Sequence, residues 1–159
     1  MATAWGRAGL VVIAVLVLDQ VTKALVVTGL DRGDRRDIFA GVDLVHVRNK
    51  GIAFGLFDGG GTLLTVVTLA ALALLLVYFA LHATRPYLWV PTGLLLGGAL
   101  GNLLDRAREG AVIDFVDFPL WPAFNVADVS ITIGVVALVL SLEDGREQAS
   151  SGAPRHEPG

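Results

Sequence analysis

Four long apolar runs dominate the pattern of hydrophobic and polar positions along this chain. They cover residues 8–30, 63–81, 87–104 and 124–142. Each approaches the ~20 residues that an α-helix needs to cross the ~30 Å hydrocarbon core of a bilayer. A helix in a water-soluble bundle keeps a polar face, whereas the second run contains no charged residue. The pattern therefore predicts an all-α membrane protein with four transmembrane helices.

The segments between and after these runs are more polar. Apolar and polar residues alternate at the start of segment 42–57, which predicts a short strand in a small β-element at the membrane surface. A loose surface loop is the alternative. Segment 143–159 is polar and rich in Gly, Pro and Ser, and we expect it to be a disordered tail. Residues 1–142 then form a single membrane domain.

Composition agrees with a membrane protein and argues against several functions. Charged residues make up 17% of the chain, below the roughly 25% of soluble domains. The net charge is -3 and no basic stripe is present, so nucleic acid is not an expected partner. The chain has no cysteine, which excludes disulfides and a cysteine nucleophile. The three histidines are scattered and no metal-ligand motif or phosphate loop occurs, so we expect no metal and no other cofactor.

Four crossings place both termini on one side of the membrane and loops 31–62 and 105–123 on the other. Several polar residues then gather at the second face: Asn49, Asn102, Asp105, Arg106, Asp114, Asn125 and Asp128. The arginines on these loops would place that face in the cytoplasm by the positive-inside rule. Some of them lie among aspartates in "DRGDRRD", so the charge count does not settle the orientation.

Two aspartates of this polar face are candidates for catalysis. We expect Asp114 in a loop and Asp128 about one turn inside the fourth helix, where the two side chains can face each other. Carboxyl groups that share a site hold one proton between them, which is the chemistry of an aspartic peptidase. The alternative is that Asn125 or Asp128 only caps the fourth helix.

Other polar and small residues suggest how the helices pack. Asp19 and Lys23 are four residues apart and predict a structural ion pair that faces the bundle interior. Gly97, Gly98 and Gly101 permit close approach of another helix. Two further functions remain open from the residues alone. Acids inside a membrane also mark a small transporter or proton relay, and a non-catalytic scaffold could use them as interfacial caps.

Five short motifs occur in a fixed order along the chain. They are "DQVTK" at 19–23, "NKGIAFGLF" at 49–57, "GGALGNLLDR" at 97–106, "GAVIDFVDF" at 110–118 and "FNVAD" at 124–128. Together they closely resemble the bacterial lipoprotein signal peptidase family, signal peptidase II. The resemblance extends from the first apolar run to the fourth, and the tail after residue 142 has no counterpart in it.

This resemblance implies an aspartic endopeptidase with four transmembrane helices and a small extracytoplasmic β-element. Members of the family cleave prolipoprotein signal peptides just before a cysteine that carries diacylglycerol. Asp114 and Asp128 match the catalytic pair, and four residues match positions that line or order the site: Asn49, Asn102, Arg106 and Asn125. Asp19 and Lys23 match the polar pair of the first helix. The implied partners are prolipoproteins and membrane lipid, the implied site faces outward from the plasma membrane, and the tail is cytoplasmic.

Overall fold

The computed structural model describes residues 2–39, 41–51 and 60–151, and these residues form four helices and one small sheet. The helices are α1 (Ala2–Gly29), α2 (Gly60–His82), α3 (Trp89–Glu109) and α4 (Val126–Ser151). The strands are β1 (Arg35–Phe39), β2 (Val42–Asn49), β3 (Val112–Phe118) and β4 (Trp121–Phe124). The described part of the chain is therefore mostly helical.

Three of these helices are long and apolar enough to cross a membrane: Thr3–Gly29, Thr62–His82 and Val126–Glu143. Many of their large apolar side chains point away from the protein, as Leu10, Leu74 and Leu81 do. Water would disfavour this arrangement, whereas lipid is as apolar as the side chains it meets. The structure thus supports three of the four predicted spans. The run at 87–104 forms α3, and its crossing of the membrane stays a prediction.

Helix α3 differs because it packs along much of its length between α1 and α4. Its glycines make this packing possible. A Cβ atom at Gly98 would lie 2.5 Å from the carbonyl oxygen of Ala127, and one at Gly101 would lie 2.5 Å from Oδ2 of Asp19. The close approach predicted from these small residues is confirmed.

The strands form one antiparallel sheet in the order β1-β2-β3-β4. The strand predicted at the start of segment 42–57 is β2. Asp114 was expected in a loop, and this prediction is wrong, because Asp114 lies on β3 opposite Val47. Its neighbour Phe115 packs against Val26 and Leu30 at the end of α1. In "VIDFVDF" the two acids are three residues apart, so they point to opposite faces of the strand and the sequence lacks the strict alternation typical of a half-buried strand.

Some boundaries differ from those expected. Helix α1 begins at residue 2 rather than 8, and α4 continues to Ser151. The segment predicted as a disordered tail, 143–159, therefore begins inside a helix, and its residues 152–159 lie outside the described residues. The end of the predicted surface segment, 52–59, also lies outside them.

Candidate active site

The first candidate carboxyl group, Asp114, is buried on β3 with only 2% of its surface exposed. Its Oδ2 accepts a hydrogen bond from Asn49 Nδ2 at 3.0 Å, and its Oδ1 accepts one from Asn125 Nδ2 at 2.7 Å. Burial raises the pKa of Asp114 to about 6, and the nearby Asp128 adds to this rise, while the two amide donors oppose it. Asp114 can therefore hold a proton close to neutral pH.

The second candidate carboxyl group, Asp128, lies in the first turn of α4. Its backbone N–H donates to Asn125 Oδ1 at 3.0 Å, and the N–H of Asn125 donates to Asp128 Oδ2 at 3.2 Å. This reciprocal pair is a capping box. The capping role considered from the sequence is therefore present. It leaves Oδ1 of Asp128 to accept a hydrogen bond from Asn102 Nδ2 at 2.9 Å.

Two asparagines link the carboxyl groups. Asn125 contacts Asp114 through its side chain and Asp128 through its backbone N–H. Its Nδ2 also lies 3.2 Å from Asn102 Oδ1. The start of α4, the end of α3 and the middle of β3 thus meet at one small polar centre. The structure brings together four of the predicted residues directly, Asn102, Asp114, Asn125 and Asp128, and Asn49 joins them from β2.

A buried ion cluster lies next to this centre. The predicted pair is present, with Lys23 Nζ 2.8 Å from Asp19 Oδ2. Lys23 also lies 2.7 Å from Asp105 Oδ2, and it donates to Asn102 Oδ1 at 3.1 Å. Because Asn102 Oδ1 accepts from Lys23 and from Asn125, its Nδ2 is left to face Asp128. Lys23 therefore orients an asparagine that contacts a candidate catalytic group.

Sequence reasoning left Asp105 out of the site residues. The structure buries it, and its Oδ2 accepts the backbone N–H of Ile113, the residue before Asp114, at 3.2 Å. Its Oδ1 accepts from Gln20 Nε2 at 3.0 Å. The spacing contained a signal, since Asp105 is three residues after Asn102 and must share its face of α3.

The predicted site residue Arg106 is half-buried at the end of α3. Its Nη1 donates to the backbone oxygen of Asn102 at 3.4 Å. The guanidinium is near enough to interact electrostatically with Asp128, Asp114 and Asp105. Arg106 thus places a positive charge beside the carboxyl groups without forming a close ion pair with either candidate catalytic residue in the described part of the chain.

Apolar space adjoins the polar centre. A groove of about 380 Å³ runs from Asp128 past Trp121 and Phe124 to Val129 and Ile133. A larger groove of about 570 Å³ lies between α2 and the pair α3 and α4. Within residues 2–39, 41–51 and 60–151, no group of three or more His, Asp or Glu side chains is arranged to hold a metal ion. Two linked carboxyl groups beside an apolar groove can carry out acid–base chemistry on an amphiphilic molecule.

Outward-facing apolar helices, with a buried and a half-buried carboxyl group linked by Asn125, define this protein as a membrane protein with a candidate acid–base site. Comparison with models of protein families identifies one family over most of the chain. The model of signal peptidase (SPase) II matches residues 11–143, and the chain belongs to this family of peptidases.

Individual members of this family are similar to the chain over most of their own length. The chain is 41% identical to the lipoprotein signal peptidase of Halothermothrix orenii, over 84% of this chain and 92% of the relative. It is 42% identical to that of Syntrophomonas wolfei, over 91% of this chain and 95% of the relative. A solved structure described as a bacterial membrane enzyme, obtained by the in meso method at 1.9 Å resolution, has 35% identity and a TM-score of 0.78, with 86% of this chain and 92% of that chain covered.

Proposed function

We propose that this peptidase removes signal peptides from diacylglyceryl-modified prolipoproteins and cleaves just before the lipidated cysteine. Asp114 and Asp128 act as an aspartic dyad. The observation that carries the proposal is the position of Asn125, which donates to Asp114 through its side chain and to Asp128 through its backbone. A single residue at the start of α4 thus links both carboxyl groups, and one of them, Asp128, lines the apolar groove.

The dyad divides two proton transfers between its members. One carboxylate takes a proton from water while the water oxygen bonds to the scissile carbonyl carbon. The other carboxyl gives its proton to the scissile carbonyl oxygen as the carbonyl double bond opens. The leaving nitrogen then takes the proton gained from water as the carbon–nitrogen bond breaks, and the carbonyl forms again. Asp114 suits the role of proton donor, because burial raises its pKa to about 6. Asn49, Asn102 and Asn125 keep the two groups oriented, and the charge of Arg106 offsets negative charge at the site.

The groove beside Asp128 suits a substrate that is anchored in lipid. Val129 and Ile133 form part of its wall, and both expose a large part of their surface on the outside of α4. An acyl chain attached to the substrate cysteine can therefore remain in the bilayer while the peptide reaches the carboxyl groups. Prolipoprotein substrates and membrane lipid are the partners that this arrangement favours.

The proposal includes four membrane crossings within a single domain, residues 1–142, with spans at about 8–30, 63–81, 87–104 and 124–142. Helix α3 has 21 residues, so it is ~32 Å long and sufficient to span the hydrocarbon core. It has fewer long apolar side chains because it contacts protein rather than lipid on two sides. Both termini and the tail 143–159 are then cytoplasmic, and the dyad faces outward from the plasma membrane.

A cleavage assay tests this function. The purified protein in detergent micelles receives a synthetic prolipoprotein peptide with a diacylglyceryl cysteine, and mass spectrometry identifies the products. The matched control is the same peptide without the lipid. We expect one cut, immediately before the cysteine, in the lipidated peptide and little in the control. An intact lipidated peptide, or equal cleavage of both peptides, contradicts the proposal.

A further inference from the structure

The turn between β3 and β4 exposes its apolar side chains in an unusual way. Leu120 is fully exposed, with a relative exposure of 106%, and its backbone has a φ of 67°. Large L-residues rarely adopt this left-handed conformation. Trp121 beside it is 67% exposed. The fold therefore holds a leucine in an unfavourable conformation with its side chain left uncovered by the described protein.

The neighbouring hairpin extends this apolar surface. Because Asp43 on β2 pairs with Asp117 on β3, the β1–β2 and β3–β4 connections lie at the same end of the sheet. A Cβ at Gly41 would lie 3.8 Å from Pro119. Phe39 is 72% exposed there. We call the exposed residues of the two connections the sheet tip: Ile38, Phe39, Leu120 and Trp121.

The position of the sheet tip relative to α4 indicates what covers it. Trp121 lines the same groove as Val129 and Ile133. Ile133 lies seven residues inside α4, about 10 Å along the helix from its first residue. Both α4 residues are on the outward apolar surface that the membrane covers. Through Trp121, the tip is thus continuous with the lipid-facing surface of α4.

Chemistry also favours a bilayer interface over bulk water. Tryptophan is enriched where acyl chains meet headgroups, because its ring is apolar and its N–H is polar. Behind the tip, Arg35 pairs with Asp43 and Asp117, so charged groups follow the apolar ones directly. In the described part of the chain, the other non-glycine residue with positive φ is Tyr87, which is also exposed and lies between α2 and α3.

We propose that the sheet tip inserts into the outer interface of the bilayer and anchors the sheet to it. The partner is lipid, namely the glycerol and upper acyl region. The anchor has a consequence that rests on the proposed function. Asp114 lies on β3, six residues before Leu120, so a tip fixed in lipid sets the depth of this carboxyl relative to the membrane surface, where a lipid-anchored substrate presents its cysteine.

The absence of cysteine from the chain permits a direct test. The variant Leu120→Cys is labelled with the fluorophore NBD and reconstituted into phosphatidylcholine vesicles. The matched control is Arg36→Cys, a label at an exposed charged position on β1 of the same sheet. Quenching is measured with lipids brominated near the headgroup end of their acyl chains and, separately, with a water-soluble quencher.

We expect brominated lipid to quench the label at 120 several-fold more than the label at 36, and the water-soluble quencher to show the reverse order. Equal access of the water-soluble quencher to both labels overturns the proposal. A label at 120 that is shielded from water but not quenched by brominated lipid also overturns it, because protein, such as a second copy of the chain, then covers the tip.

A second variant excludes the label as the cause of insertion. Trp5→Phe with Trp89→Phe leaves Trp121 as the single tryptophan. Its fluorescence should also be quenched by brominated lipid, and failure of this quenching contradicts the anchor. Neither measurement depends on cleavage. An inactive protein with a lipid-quenched tip would therefore contradict the proposed function alone, and an active protein with a water-exposed tip would contradict the anchor alone.

Discussion

Asn125 and Asp128 hold each other through two reciprocal hydrogen bonds at the start of α4. The pair closes the first turn of the helix and also leaves one oxygen of Asp128 directed at Asn102. A local helix-capping device therefore directs a carboxyl oxygen toward Asn102 on α3, a different element. Capping and catalysis are compatible roles for these residues, because capping occupies one oxygen and leaves the other within the polar centre.

Replacement of either carboxyl group should stop cleavage. Asp114→Asn and Asp128→Asn each remove a group that the dyad needs for proton transfer. Each aspartate accepts hydrogen bonds on both oxygens, so an amide at the same place sets two donors against each other and costs about 1–3 kcal/mol of stability. Rates must therefore be measured on the folded fraction.

The matched control for these variants is Asp117→Asn. Asp117 lies on the same strand as Asp114 but pairs with Arg35 at the far end of the sheet. It should retain near-normal cleavage. Substantial turnover by a folded Asp114→Asn or Asp128→Asn protein would show that the dyad is wrongly assigned.

Activity should depend on the protonation of Asp114. Its pKa is raised to about 6, so the proton is present below this pH and lost as the pH rises through it. If this proton is given to the scissile carbonyl, kcat/KM should fall roughly tenfold per pH unit above about pH 6. The measurement is a pH profile of kcat/KM with the lipidated peptide. A rate that increases from pH 5 to 8 contradicts the role as proton donor.

Asn49 should determine the pH at which kcat/KM begins to fall, that is, the alkaline limb of the pH profile. Its amide donates to the carboxylate of Asp114 and so lowers the pKa of that group. Asn49→Ala removes the donor, and the limb of the pH profile should move to higher pH, whatever happens to the maximal rate. The control is Arg48→Gln on the same strand, where the side chain pairs with Glu109. Unchanged midpoints in both variants would mean that Asp114 does not control the profile.

Lys23 should matter more for stability than Asp19. The variant Lys23→Met leaves two buried carboxylates, Asp19 and Asp105, without their cation. Breaking a buried pair costs about 3–5 kcal/mol. Asp19→Asn keeps the pair of Lys23 with Asp105, so it should cost less. The double variant should recover little, because Asp105 remains unpaired.

Thermal unfolding in detergent compares these variants. Equal destabilisation by Asp19→Asn and Lys23→Met would show that Asp105 does not share the lysine. Fully stable but inactive single variants would instead place both residues in the chemistry, and the structural interpretation of the pair would be wrong.

The glycines of α3 should resist substitution where helices touch. A methyl group at Gly98 would lie 2.5 Å from a backbone oxygen of α4, and the backbone cannot yield easily. We expect Gly98→Ala to destabilise the protein by about 1–3 kcal/mol. The control is Gly9→Ala on α1, where a Cβ meets nothing within 4 Å and alanine favours the helix. Similar unfolding temperatures for the two variants would contradict tight packing of α3.

The sequence by itself determined the elements that depend on local pattern. Long apolar runs predicted the helices, the i, i+4 spacing predicted the pair of Asp19 and Lys23, and ordered motifs indicated the family. These features are readable because helix periodicity and hydrophobic length are properties of neighbouring residues. Local pattern gave a wrong prediction at Asp114, which was expected in a loop. The acidic residues in "VIDFVDF" hid the strand character of this segment, which forms a strand by pairing with β2.

Only the tertiary structure decided how the polar groups share their partners. Asp105 is 82 residues from Lys23 along the chain, yet it forms an ion pair with this lysine. The sequence had predicted a pair of Lys23 with Asp19 alone. The raised pKa of Asp114 likewise requires burial by elements that are distant in sequence. Charge pairing and desolvation depend on distances across the fold, and these distances are fixed by close helix packing at Gly98 and Gly101 rather than by residue spacing.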